Sequence, residues 1–130
     1  MIRLVFLLVV ASVLSVKAQS EIPVKIHGQL KVADGKIVDK LNRPPQLRGT
    51  SMFWSIWQGQ KYYNSDALTW LKKDFKISLV RLAMAVAHPQ GYLKKPDDQK
   101  ALIVKMADAA IAEGLYVIID WHDHHAHIHT

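Results

Sequence analysis

Five of the seven histidines fall within one short run, Trp121-His122-Asp123-His124-His125-Ala126-His127-Ile128-His129. Neutral imidazole ligates zinc, and three such ligands plus a water make a hydrolytic centre. On an extended strand His122 and His124 face one way, as do His125, His127 and His129. A metal-dependent barrel hydrolase using the His122 to His129 cluster is therefore one reading. Against it, no second set of His or carboxylates stands at the other predicted strand ends. The bland alternative is a polar loop whose histidines bond backbone and water. Only His122 is expected to face a site, and no metal or other cofactor is assigned.

Arg81 is the second unusual residue. It interrupts an apolar run, Leu79-Val80-Arg81-Leu82-Ala83-Met84. A guanidinium stays charged at any relevant pH, so burial requires an anionic partner. Either it makes a structural ion pair, or it lies beneath an active-site carboxylate and keeps that group ionised. The third feature is aromatic: Phe53, Trp54 and Trp57 in a long polar connection. Loops carry function more often than cores do. Trp57 is either a stacking platform for the C–H face of a sugar ring or a packed core side chain, whereas core packing is the default for Trp54. The carboxylates are sparse. Glu21 and Glu113 are the only glutamates, the first before the folded region and the second near a helix end. Asp120 and Asp123 stand together at one strand end and are not promoted to a catalytic pair.

The elements that must position these residues follow from the pattern. Leu30 and Val32 alternate, Ile37-Val38 follow, and Asp34-Gly35 between them signals a small hairpin. Residues 46–51 form a first strand. Asn64 or Ser65 caps a helix whose apolar stripe is Ala67, Leu68, Leu71 and Phe75. Residues 77–86 form a buried strand. Pro96-Asp97-Asp98 opens a helix that Gly114 ends. Residues 115–120 form a third strand, apolar until Asp120. Apolar strands alternating with amphipathic helices predict an α/β fold with a parallel sheet covered by helices. A doubly wound nucleotide binder wants glycines after its first strand. Here residues 52–63 hold only Gly59, which disfavours that fold. A barrel places its functional residues at the carboxyl ends of its strands, where Arg81, Trp57 and His122 fall.

Residues 1–18 read as a signal peptide. Arg3 is the positive start, residues 4–16 are apolar but for two serines, and Val16-Lys17-Ala18 is a cleavage site. The run is short for a membrane span, which needs ~20 residues. Ile2 stands where myristoylation would need glycine. A secreted, extracellular product that leaves the membrane after cleavage is expected. Residues 19–27 form an amino-terminal segment, and residues 28–130 the folded domain. The absence of Cys means packing alone must stabilise it. The formal charge of +6 falls to +4 without Arg3 and Lys17 (15 basic against 11 acidic residues). The basic residues are scattered rather than striped among aromatics, which speaks against nucleic acid.

Three blocks are similar to one family: Arg48-Gly49-Thr50-Ser51-Met52-Phe53-Trp54-Ser55-Ile56-Trp57, then Leu79-Val80-Arg81-Leu82-Ala83-Met84, then Tyr116-Val117-Ile118-Ile119-Asp120-Trp121-His122-Asp123-His124-His125. In that order and spacing they resemble glycoside hydrolase family 5, in its endo-β-1,4-glucanase (cellulase) branch. The resemblance spans roughly residues 26–130. It implies the N-terminal part, about three β/α units, of a (β/α)₈ TIM barrel preceded by a small β-hairpin. It implies a retaining hydrolase of β-1,4-glucans such as cellulose, monomeric when full-length. Arg81 would keep the nucleophilic glutamate anionic, and His122 would bind sugar where the bond is cut. Trp57 would be the platform for a glucosyl ring, and Asp120 would be structural. Ala85 and Phe53 depart from some bacterial relatives, which have an aromatic residue and His there. The family's two glutamates lie at the ends of the fourth and seventh strands, so this chain is expected to stop before both. The isolated polypeptide is expected to be poorly stable and inactive, the product of an incomplete gene model or transcript fragment. A non-catalytic carbohydrate-binding fragment is the remaining alternative.

Overall fold

The computed structural model describes residues 22–125. The expected leader, His127 and His129 lie outside the described residues.

A short helix, α1 (Pro23–His27), begins with proline, whose fixed φ suits a first turn. It is followed by a hairpin of β1 (Lys31–Ala33) and β2 (Lys36–Val38), paired antiparallel with Ala33 opposite Lys36. Asp34 and Gly35 both have positive φ, 48° and 72°, as a two-residue hairpin turn with the right twist requires. The hairpin predicted from Asp34-Gly35 is therefore present. Behind it, Asp39 Oδ1 accepts the N–H groups of Leu41 and Arg43 and closes a tight loop. The Tyr116 hydroxyl donates to Gly28 O, which fastens this region to the amino-terminal end of the main sheet.

That sheet contains β3 (Gly49–Ser51), β4 (Leu79–Ala85) and β5 (Tyr116–His122), all parallel and in the order β3-β4-β5. Two helices cover one face: α2 (Ser65–Phe75) and α3 (Pro96–Ala112). Asn64 caps α2 by accepting from Ala67 N–H at 2.9 Å, as its position predicted. The core lies between helices and sheet, with Leu68 of α2, Ile103 and Met106 of α3, and Val80, Leu82 and Met84 of β4. Those three β4 residues are alternate positions, so one face of the strand is devoted to the core. The opposite face receives Arg81, Ala83 and Ala85.

Three details differ from the sequence reading. Phe75, placed in the apolar stripe of α2, is exposed and packs on exposed Trp70, with ring centroids 5.0 Å apart. It is the last residue of α2, on the same face as Leu68 but beyond the surface that the sheet and α3 cover. Residues Trp57–Tyr62, read only as part of a long polar connection, form a 3₁₀ helix. β5 runs two residues beyond Asp120, because Trp121 and His122 continue the ladder opposite Met84 and Ala85. Among the described residues β3 and β5 are edges. Ile118, Ile119 and Trp121, on the β5 edge, are about half exposed.

Candidate functional site

Parallel register brings the site together. Ala83 lies opposite Asp120, Ala85 opposite His122, and Arg81 opposite Ile118 and Ser51. Arg81, Asp120 and His122 therefore project from one face, over a floor made open by two alanines. The Arg81 Nη2 group donates to Asp120 Oδ2 in a short, charge-assisted bond. Its Nη1 group donates to Ser51 Oγ at 2.6 Å. Nδ1 of His122 lies 2.8 Å from the same Asp120 oxygen and 3.0 Å from Arg81 Nη2.

This arrangement limits His122. The guanidinium can only donate and the carboxylate can only accept. A proton on Nδ1 pairs it with Asp120 and leaves Nε2 as an acceptor. Without that proton, Nδ1 accepts from Arg81 and Nε2 becomes a donor. In either neutral tautomer one ring nitrogen is held and the other is left for a ligand. Side-chain exposures of 35% for Arg81 and 25% for Asp120 leave the cluster reachable from solvent.

An aromatic strip leads away from the cluster. The edge of His122 meets Trp54 at 5.0 Å between centroids, and His124 lies 5.6 Å from the same ring. Trp54 stacks on Trp57 at 5.4 Å with 20° between planes. Trp57 in turn meets His88 nearly perpendicularly at 4.8 Å. Trp57 is 54% exposed, so one flank of the strip is open. Its φ is +53°, a left-handed conformation that costs a non-glycine residue roughly 1–2 kcal/mol. Such strain persists where the surroundings hold it, commonly at ligand clamps.

Tyr63 braces the loop from below. Its hydroxyl donates to Phe53 O at 2.7 Å and reaches Ala83 O at 3.2 Å. Burial pushes its pKa up from 10.0 to about 12.

The three residues expected at the site, Arg81, His122 and Trp57, all lie along this strip. Arg81 has the structural ion pair that was one of its two readings, with Asp120 as the partner. Trp54, read as core, is only half-buried and joins the strip. The expectation that His122 alone faces the site is too narrow, because His124 packs against it at 5.4 Å. His88 and Ser51 were not singled out. Nothing local marks His88, which stands in a polar turn after β4. Ser51 was legible only through its register with Arg81. Among the described residues no group of three His, Cys, Asp or Glu is disposed to hold a metal ion. Glu113 is far from the strip in the fold. It follows α3 at the amino-terminal end of β5, where Lys72 Nζ donates to it at 3.0 Å and Thr69 Oγ1 at 2.8 Å.

Comparison with known proteins agrees with this architecture. The model of the cellulase family, glycosyl hydrolase family 5, matches residues 35–130. Endoglucanase Z of Dickeya dadantii is 49% identical over 80 residues, 60% of this chain and 19% of that protein. Endoglucanase N of Pectobacterium atrosepticum is 43% identical over 110 residues, 84% of this chain and 24% of that protein. The chain thus spans about a fifth to a quarter of the length of these curated relatives. Among solved structures, a chain from Cytophaga hutchinsonii is 46% identical with a TM-score of 0.75, covering 82% of this chain and 34% of that one. The catalytic domain of Thermobifida fusca endoglucanase Cel5A is 32% identical with a TM-score of 0.73, covering 79% and 33%. The sheet is accordingly the N-terminal part of a (β/α)₈ barrel, as the resemblance implied. With strand order, inward-facing residues and sequence likeness in agreement, the chain belongs to the cellulase family, glycosyl hydrolase family 5.

Proposed function

We propose that these residues form the sugar-binding and positioning side of a secreted, retaining β-1,4-glucanase site. The observation that carries this reading is the continuous strip from the Arg81–Asp120–His122 cluster to the exposed face of Trp57. A flat indole beside fixed polar groups suits a glucosyl ring, which has apolar faces and a polar rim. Trp57 takes the face of one ring. His122 offers its free nitrogen to a hydroxyl of the ring at the cleavage point. The permanent charge of Arg81 stabilises a neighbouring carboxylate in its anionic form. The substrate class is supported by a solved complex of the Thermobifida fusca enzyme with cellotetraose, 33% identical to this chain with a TM-score of 0.72.

Retaining cleavage needs an acid/base and a nucleophile with carboxyls about 5–5.5 Å apart. Asp120 is engaged by Arg81 and His122, and Glu113 sits at the other end of β5. The pair is assigned to strands other than the three described, and the 130-residue chain by itself is expected to release no reducing sugar.

The test is a graft. Residues 28–125 replace the matching third of the Thermobifida fusca catalytic domain, and reducing sugar released from carboxymethyl cellulose is measured. The graft should be active, with the product first formed in the substrate's β configuration. Arg81→Ala should lower kcat by roughly a hundredfold, the scale of losing one electrostatic stabiliser. Trp57→Ala should mainly raise KM for cello-oligosaccharides. An active graft indifferent to both changes sinks the assignment. A graft that binds cellotetraose without turnover favours the carbohydrate-binding alternative.

A further inference from the structure

A glutamine at a nearly fully buried position on a helix needs a reason, and Gln99 of α3 has one. It is 4% exposed, and Ser55, in the loop after β3, is fully buried. Ala85 N–H donates to Ser55 Oγ at 3.0 Å, the Ser55 hydroxyl donates to Gln99 Oε1, and Gln99 Nε2 donates to Gln90 O at 2.9 Å. The directions are forced. Gln90 O only accepts, so the amide nitrogen must face it, which turns Oε1 toward the hydroxyl. With the amide reversed, two oxygens would face each other and Gln90 O would lose its donor.

This chain of bonds joins two loops at the mouth of the sheet. Ser55 lies between Trp54 and Trp57, and its own N–H donates to Ala83 O at 3.0 Å. Gln90 N–H donates to His88 Nδ1 at 3.1 Å, which fixes the imidazole. Trp57 and His88 are the rings that meet at 4.8 Å. Gln99 thus anchors both sides of that contact from beneath the two loops. A buried polar network with every member bonded gives rigidity and a single geometry. Trp57, held at positive φ, needs such a support.

We propose that Gln99 is a positioning residue: through Ser55 and Gln90 it holds Trp57 against His88 and so sets the plane of the sugar-binding platform. Its consequence for sugar rests on the function proposed above; the positioning itself does not.

The experiment uses the graft described above, which holds residues 28–125 within a whole catalytic domain, with cellotetraose as the probe. Nuclear Overhauser effects between the Trp57 and His88 rings are recorded for the wild type, Gln99→Met and Ser55→Ala. Methionine keeps the length and bulk of glutamine but neither donor nor acceptor. Both variants should keep dispersed core methyl signals, show no Overhauser effect between Trp57 and His88, and bind cellotetraose more weakly. Should Gln99→Met lose its core dispersion, the smaller Ser55→Ala change decides. An Overhauser effect that persists in a folded variant, or that is missing in the wild type, overturns the positioning role. If it disappears in the variants while no form binds cellotetraose, the positioning role stands and the sugar platform falls.

Discussion

Changing Tyr63 to phenylalanine removes a single hydroxyl from beneath the aromatic loop. That hydroxyl donates to Phe53 O at 2.7 Å and lies 3.2 Å from Ala83 O. Ala83 O keeps the Ser55 N–H, but Phe53 O loses this donor. Tyr63 is 5% exposed, so water does not replace the bond freely. Tyr63→Phe should therefore cost about 1–2 kcal/mol at pH 8, the usual scale for a buried bond with one partner removed. The pH dependence gives a sharper test. Burial raises the folded pKa from 10.0 to about 12. A raised pKa means that the folded state keeps a proton which the unfolded chain gives up. The stability is thus fully present below pH 10 and is lost as pH rises toward 12. In that window the wild type should lose about 1.4 kcal/mol per pH unit from this group, and the variant nothing. The difference should vanish near pH 11 (about one unit above the ordinary pKa) and then change sign. Urea unfolding followed by far-ultraviolet circular dichroism, at half-unit steps from pH 8 to pH 12, measures it. Curves that stay parallel above pH 10 would refute the buried, bridging hydroxyl.

Two further changes probe the frame of the site. Leu82 is fully buried between β4 and the helices. Leu82→Ala should cost about 2–5 kcal/mol in urea unfolding by transfer loss and cavity formation, and a cost below 1 kcal/mol would contradict the packing. Glu113 is held below its ordinary pKa of 4.5, first by the hydrogen bond from Lys72 and then by that from Thr69. A depressed carboxylate contributes stability above its unfolded pKa and loses it as pH falls through the folded pKa. Glu113→Gln should therefore lower stability at neutral pH by about 0.5–1 kcal/mol, a value discounted for partial exposure, and flatten the limb below pH 4.5. An unchanged acid limb would count against the Lys72 pairing.

Local pattern was enough for much of this fold. Asp34-Gly35 specified its hairpin because only certain residues take two positive φ values in a row. Asn64, Pro96 and Gly114 marked helix ends through capping chemistry that acts over three or four residues. The alternation in β4 placed Arg81 opposite in direction to Val80 and Leu82, because strand side chains have a period of two. The type and position of Arg81, His122 and Trp57 were thus legible, and the resemblance to family 5 implied the roles proposed for them.

Their partners were not legible, since each is set by groups distant in sequence. Arg81 meets Asp120, 39 residues on, because the β4–β5 register sets Asp120 opposite Ala83, on the same face as Arg81. Phe75 has helical spacing but lies beyond the covered surface. Trp54 looks like core by composition, yet its ring bridges His122 and Trp57 once the loop after β3 lies against the end of β5. His88 and Gln99 carry no local signal at all. Their meaning arises from a buried hydrogen-bond chain that exists only when β4, α3 and the loop after β3 are assembled. Sequence by itself determined which faces are apolar and where chemistry-bearing side chains stand, because those depend on neighbours along the chain. Tertiary structure alone decided which of them touch, because hydrogen bonds and ring stacking need ångström-scale proximity that only the packed sheet and helices supply.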